Sequence, residues 1–155
     1  VKISLVYSPG VLDAEADESL TAAAMRMRDN DISSLAIMQG SELIGMLSER
    51  DIVQAVVDGV NPIRTRIGRY MTENPATVNL EDDSADVARR MIELGIRHLP
   101  VVEGGRVVGV VSARDLLTLE ARAPESTSHI SAIRAARGRA EGPAVIVPIA
   151  SSGRT

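Results

Sequence analysis

Two seven-residue segments concentrate the chemistry of this chain: GMLSERD at residues 45–51 and GVVSARD at residues 109–115. Each runs an apolar stretch through glycine into a hydroxyl, a guanidinium and a carboxylate at the expected start of a helix. An ionised carboxylate only accepts hydrogen bonds, so Asp51 and Asp115 suit a partner with two donors, such as a vicinal diol. A helix start offers unpaired backbone N–H groups and the positive end of its dipole, which suits phosphate. Arg50 and Arg114 add cations beside it. The same Ser-x-x-Asp spacing is also a capping box, with Ser48 or Ser112 as N-cap and the acid three positions on. The two roles can coexist. Gly45 and Gly109 read equally as points of close backbone packing.

Few other residues invite chemistry. The histidines are His98 and His129, too few for a multi-histidine metal centre, and there is no cysteine for a disulfide, a thiol nucleophile or a cysteine metal site. Asp82, Asp83 and Asp86 could face a cation, but acids at a helix start explain them as well. Arg134, Arg137 and Arg139 read as a solvated face. No P-loop, GxGxxG or Ser–His–Asp set is visible. The enzyme reading is thus reduced to an unrecognised hydrolase built on the Asp/Arg pairs, and the expectation is a protein that is not an enzyme and holds no metal.

The elements that must position these residues come from an internal repeat. Sliding the chain by 64 residues pairs it with itself without gaps, and 10 of the 38 pairs from Asp17/Glu81 to Gln54/Thr118 are identical. Among them are Ala24/Ala88, Arg26/Arg90, Gly45/Gly109, Ser48/Ser112, Arg50/Arg114 and Asp51/Asp115. Residues 19–29 and 83–94 carry one apolar stripe each and predict helices. Asp17 and Glu18, and residues 81–83, suit their starts. Gly95 stops the second, and Asp31 takes that place in the first. Residues 35–38 and 99–102 predict buried strands, followed by turns at 39–42 and 103–106 and return strands at 43–47 and 107–111. Helices of about ten residues then start at Glu49 and Ala113. A short strand is expected at Thr77-Val78 and a short helix over 67–71. Residues 1–62 form the first repeat, and residues 63–122 a linker with the second. Residues 123–155 form a tail, mobile or docked on a partner subunit, with a short basic helix over 130–139 and an apolar stretch over 144–149.

Composition narrows the class. The chain has 155 residues, 45% of them hydrophobic but only 1% aromatic, so its core must be built from Val, Ile, Leu, Met and Ala. Met25, Met27, Met38, Met46 and Met91 serve as filler of a core or interface. Seventeen basic against 21 acidic residues give a net charge of −4, which with the missing aromatics argues against nucleic acid. No apolar run approaches the roughly 20 residues that span a bilayer, and no signal peptide is visible. The expectation is a cytoplasmic protein with no membrane contact.

The repeated motif, with GIRHLPVV at residues 95–102 before its second copy, resembles the cystathionine-β-synthase (CBS) domain family, and two tandem copies resemble a Bateman module. The resemblance covers roughly residues 10–120. It implies an α+β fold of two β-α-β-β-α units related by a pseudo-twofold axis, with two clefts that take adenosine ligands: AMP, ADP, ATP, S-adenosylmethionine or a dinucleotide. It implies Asp51 and Asp115 on ribose hydroxyls, with Ser48, Ser112, Arg50 and Arg114 toward ribose and phosphate. Arg97 and His98 match positions that reach phosphates, and Thr77 and Val78 match a pair that contacts adenine by its backbone. Pro100 completes the motif. The first repeat departs from it, with Asp13-Ala14 for Thr-Val, Ser33-Ser34 for Arg-His and Ala36 for Pro100.

The resulting expectation is a regulatory adenosine-ligand sensor acting in trans on an unidentified protein. It would form a homodimer and require no cofactor. The alternative is a structural or interaction protein whose clefts bind nothing.

Overall fold

The computed structural model describes residues 1–122, and the elements expected in the tail lie outside them. A 3-10 turn at Ile3–Leu5 leads into β1 (Ser8–Pro9) and β2 (Asp13–Ala14), then α1 (Leu20–Asp29). The hairpin β3 (Ser34–Gln39) and β4 (Glu42–Ser48) and the helix α2 (Glu49–Val57) complete the first half. The second half repeats the order: a 3-10 turn at Ile67–Arg69, β5 (Thr72–Glu73), β6 (Val78–Asn79), α3 (Ser84–Leu94), the hairpin β7 (His98–Glu103) and β8 (Arg106–Ser112), and α4 (Ala113–Arg122).

Local chemistry accounts for the helices. Ser19 caps α1, its hydroxyl accepting the Ala22 N–H at 3.1 Å, and Asp83 caps α3 by accepting the Ala85 N–H at 2.9 Å. Glu18, expected among the acids at the first helix start, instead turns to Arg26. Leu20, Ala23 and Met27 bury one face of α1, and Val87 and Met91 one face of α3. The chain leaves these helices through left-handed residues 64 positions apart, Asp31 at φ 51° and Gly95 at φ 65°. Both fall where the sequence placed the helix stops.

The two four-stranded sheets are built alike. One runs β2-β3-β4-β5, the other β6-β7-β8-β1. Each pairs a parallel outer strand with an antiparallel hairpin, and both hairpins carry an irregularity at the same place, Ile37/Met38 and Val101/Val102. The last strand of each sheet comes from the other half. β1 lies antiparallel on β8 with Pro9 opposite Gly109, and β5 lies on β4 with Glu73 opposite Gly45. The cores follow this exchange: Ile67 packs with Leu20, Leu35 and Leu47, while Ile3 packs with Val87, Leu99 and Val111. Neither core holds an aromatic ring among its fully buried residues.

Gly45 and Gly109 mark where the exchanged strands approach. A methyl on Gly109 would strike the Ser8 carbonyl and stand 2.6 Å from the Tyr7 ring, and one on Gly45 would stand 2.6 Å from the Met71 sulfur. Close approach of a second backbone is the structural reason for glycine at both.

Candidate functional site

The two Ser-x-x-Asp motifs form the capping boxes their spacing predicts. At the start of α2, the Ser48 N–H and hydroxyl donate to Asp51 Oδ2 at 2.8 and 3.1 Å. At the start of α4, the Ser112 N–H and hydroxyl both donate to Asp115 Oδ2 at 2.7 Å, and the hydroxyl accepts the Asp115 N–H at 3.2 Å. In each box every bond to the carboxylate runs to the same oxygen, Oδ2. Oδ1 of each aspartate has no hydrogen-bond partner among the described residues and stays open to a donor. Asp51 and Asp115 are half-buried, whereas Arg50 and Arg114, one position before each, are exposed.

The sheets hold the remaining sequence-predicted residues around the second box. His98 is opposite Ser112 in the β7–β8 ladder, and the Arg97 carbonyl accepts the Ala113 N–H at 2.9 Å, tying that loop to the start of α4. Pro100 is fully buried two residues along β7. β6 borders β7 with Val78 opposite Val101, so Thr77 stands level with Pro100. The Val78 side chain is core, which leaves its backbone on the outer edge of the sheet for any recognition. Arg97, His98, Ser112, Arg114 and Asp115 thus gather at one end of the second sheet. Ser48, Arg50 and Asp51 occupy the corresponding end of the first.

His98 joins the two ends. Its Nε2 lies 2.6 Å from the Ser33 hydroxyl, a residue of the first half. Burial pushes the imidazole below the ordinary histidine value, and the neighbouring Arg97 cation adds to the drop. The carboxylates of Glu49, from α2, and Asp115, from α4, oppose it. A hydroxyl, an imidazole and two acids from both repeats therefore share one locality.

Two arginines belong to this architecture although the motif reading passed over them. Arg90 donates to the Thr77 carbonyl at 3.1 Å, and Arg26 donates to the Asp13 carbonyl at 2.7 Å, each holding the strand ahead of its helix. Their identity at the 64-residue offset, off the apolar stripe, was the available signal. The copies differ in one respect. Arg26 is gripped by both carboxylate oxygens of Glu18, at 2.8 and 3.2 Å. Glu18 and the corresponding Asp82 each accept the N–H three residues back, that of Glu15 at 2.7 Å and of Asn79 at 2.9 Å, but Asp82, one methylene shorter, forms no ion pair with Arg90 among the described residues. Ser33 was also missed, because nothing in a single strand reveals what meets it across the molecule.

Two recesses lie elsewhere. An open one of about 530 Å³ is lined by Ala16, Asp17, Gly68 and residues 64–66 and 69, and an apolar one of about 280 Å³ runs between α1 and α2. Neither contains a sequence-predicted site residue. Among the described residues, no helix is long and apolar enough to cross a membrane.

Known proteins repeat this arrangement. The family model for the CBS domain matches residues 6–58 and 67–122, the two halves including their exchanged strands. An uncharacterised 17.7 kDa protein of Acidianus ambivalens is 29% identical over 117 residues, covering 74% of this chain and 70% of its own. Hypoxic response protein 1 of Mycobacterium tuberculosis is 32% identical over 113 residues, covering 72% and 79%. Among solved structures, the CBS domain pair of protein MJ0100, in complex with 5′-methylthioadenosine and S-adenosyl-L-methionine, superposes with a TM-score of 0.71 at 26% identity over 77% of this chain and 94% of that one. With both halves matched and their fold repeated, the chain belongs to the CBS domain family, as a tandem pair.

Proposed function

We propose that this chain is a regulatory module that binds an adenosine ligand of the AMP, ADP, ATP or S-adenosylmethionine type. It reports that ligand to a separate protein in trans. Residues 1–62 act as its first repeat and residues 63–122 as a linker with the second, with residues 123–155 as a tail. Asp115 accepts the ribose hydroxyls through Oδ1, and Ser112, Arg114, Arg97 and His98 face ribose and phosphate. Thr77 and Val78 contact the base by their backbone, beside Pro100. Ser48, Arg50 and Asp51 have the corresponding roles in the other cleft. The protein works as a homodimer in the cytoplasm, catalyses nothing and needs no cofactor.

The observation that carries this reading is the pair of capping boxes, each with one carboxylate oxygen engaged and the other open beside a helix N-terminus. The adenosine ligands of MJ0100, a CBS pair of the same fold, support the choice of ligand class.

A second reading, a structural or interaction protein without a ligand, draws on the first repeat. There Asp13-Ala14 and Ser33-Ser34 replace the motif residues. A thermal-shift panel of AMP, ADP, ATP, S-adenosylmethionine and NADH separates the two. A ligand that binds only the folded state raises the melting temperature by mass action. A shift of several degrees with one ligand supports the sensor. No shift at millimolar concentration, with Asp115→Ala indistinguishable from the parent, favours the second reading.

A further inference from the structure

The segment that joins the two halves carries Arg64, Arg66 and Arg69, all of them exposed. Its backbone is pinned to the start of α1. The Leu20 N–H donates to the Thr65 carbonyl at 2.9 Å, and the Ile67 and Gly68 N–H groups donate to the Glu18 and Ala16 carbonyls at 2.9 and 2.8 Å. Arg66 is extended, and Thr65 and Ile67 on either side of it are buried. Alternation along this stretch turns Arg64 and Arg66 outward together. With Arg69, from the 3-10 turn that follows, they line the open recess of about 530 Å³.

Little nearby answers these cations. Among the described residues, Asp17 is the only acid lining the recess. Asp58 stands near Arg69 but is held by the Tyr70 hydroxyl at 2.7 Å, while Arg69 itself lies over the Tyr70 ring, 5.7 Å from its centre. None of the three arginines is in an ion pair among the described residues. The second half differs at the places 64 positions away. Arg66 corresponds to Lys2, which forms an ion pair with Glu81, the counterpart of Asp17. Arg69 corresponds to Leu5. The repeated backbone therefore requires no such cluster, and the pair closed in one copy is open in the other.

We propose that the recess of Arg64, Arg66 and Arg69 docks an acidic segment of the protein that this module regulates. Guanidinium forks bind carboxylates through paired, charge-assisted hydrogen bonds, and complementary charge sets which partner is accepted. A small-molecule pocket encloses most of its ligand. This recess is open and its charged groups are exposed, so its occupant is a segment that lies across it. A nucleic acid would carry its charge past the patch onto the surface of a chain with net charge −4. A short acidic segment meets the patch alone, because salt screens charges beyond about 8 Å. The inference rests on the action in trans of the proposed function and gives the partner's docking segment its chemistry. Its test contains no nucleotide, so it can fail while the ligand reading holds, and the reverse.

Fluorescence anisotropy of a labelled hexaglutamate peptide, titrated with the full chain at an ionic strength of about 0.01 M, reads the docking. Saturable binding is expected. Arg64→Glu with Arg66→Glu should weaken it about tenfold or more, with the circular dichroism of the parent, and Arg69→Ala alone should weaken it by a smaller factor. Arg106→Glu, an exposed arginine outside the recess, should leave it unchanged. Absence of binding overturns the proposal. An equal loss in Arg106→Glu also overturns it, because charge anywhere on the surface then suffices. Tripolyphosphate or a single-stranded oligonucleotide that binds the parent more tightly than the peptide, and loses that binding in the double variant, assigns the recess to phosphate and overturns it as well.

Discussion

The Ser33 hydroxyl and His98 Nε2 lie 2.6 Å apart, a side-chain bond between the two halves of the chain. It ties the end of one sheet to the end of the other, beside the start of α2 and the start of α4. Removing one partner leaves the other part-buried without its bond, a loss of about 1–2 kcal/mol. Ser33→Ala should lower the urea-unfolding free energy by that amount, and Ser34→Ala, at the neighbouring position, serves as the comparison. Equal stability of Ser33→Ala and the parent would remove this bond from the set that holds the repeats together.

The same histidine makes stability depend on pH. Its folded value lies below the ordinary 6.5, chiefly through burial, so the unfolded chain binds the proton more readily. The stabilising contribution is complete above pH 6.5 and disappears as pH falls through the lowered folded value. The melting temperature should therefore decline with acidification over that range, and His98→Gln should flatten the decline. An unchanged slope in His98→Gln would assign the effect to another group.

Gly109 and Gly45 occupy equivalent positions but should not tolerate alanine equally. At 109 the added methyl meets the Ser8 carbonyl, a backbone group held by pairing of β1 with β8. At 45 its nearest neighbour is the Met71 sulfur, the end of a flexible side chain, though the Thr72 carbonyl is 3.1 Å away. Overpacking of this kind costs about 1–3 kcal/mol. Gly109→Ala should fall at the upper end and Gly45→Ala well below it, as read by chemical denaturation. The opposite order would contradict the strand exchange.

Arg26 and Arg90 should differ in the same manner. Arg26 holds the Asp13 carbonyl and both Glu18 oxygens, while Arg90 is bonded to the Thr77 carbonyl. Arg26→Ala should destabilise by about 1–2 kcal/mol, and Arg90→Ala by less. The Arg26 hydrogen bond holds the Glu18 carboxyl below its ordinary value of 4.5, so this contribution is lost as pH falls below about 4.5 through the lowered value. The gap between parent and Arg26→Ala should close over that range, and a gap independent of pH would refute the pairing.

Much of this fold was written in the 64-residue offset. Hairpins, helices and capping boxes are local in sequence, with periodicities and turn residues that a single chain displays. The offset also continues into Ile3/Ile67, yet the exchange of β1 and β5 between halves was not read from it. A two-residue strand has no periodicity, and tertiary pairing alone decides which sheet it joins. The box residues of the candidate site were legible for the same reason the helices were. Ser33 was not, because its partner is 65 positions away in the other half. Arg26 and Arg90 were legible as identities but not as ligands of backbone carbonyls, since any side chain on a polar helix face looks solvated in sequence.

The most direct measurement is isothermal titration of the untagged chain, freed of co-purified nucleotide, with AMP, ADP, ATP, S-adenosylmethionine and 5′-methylthioadenosine. Saturable binding of at least one is expected, with Asp115→Ala abolishing the heat at the second cleft while its circular dichroism keeps the parent's form. No heat from any of the five at millimolar concentration, or an isotherm unchanged in both Asp51→Ala and Asp115→Ala, would contradict an adenosine ligand held through the open oxygens of these aspartates.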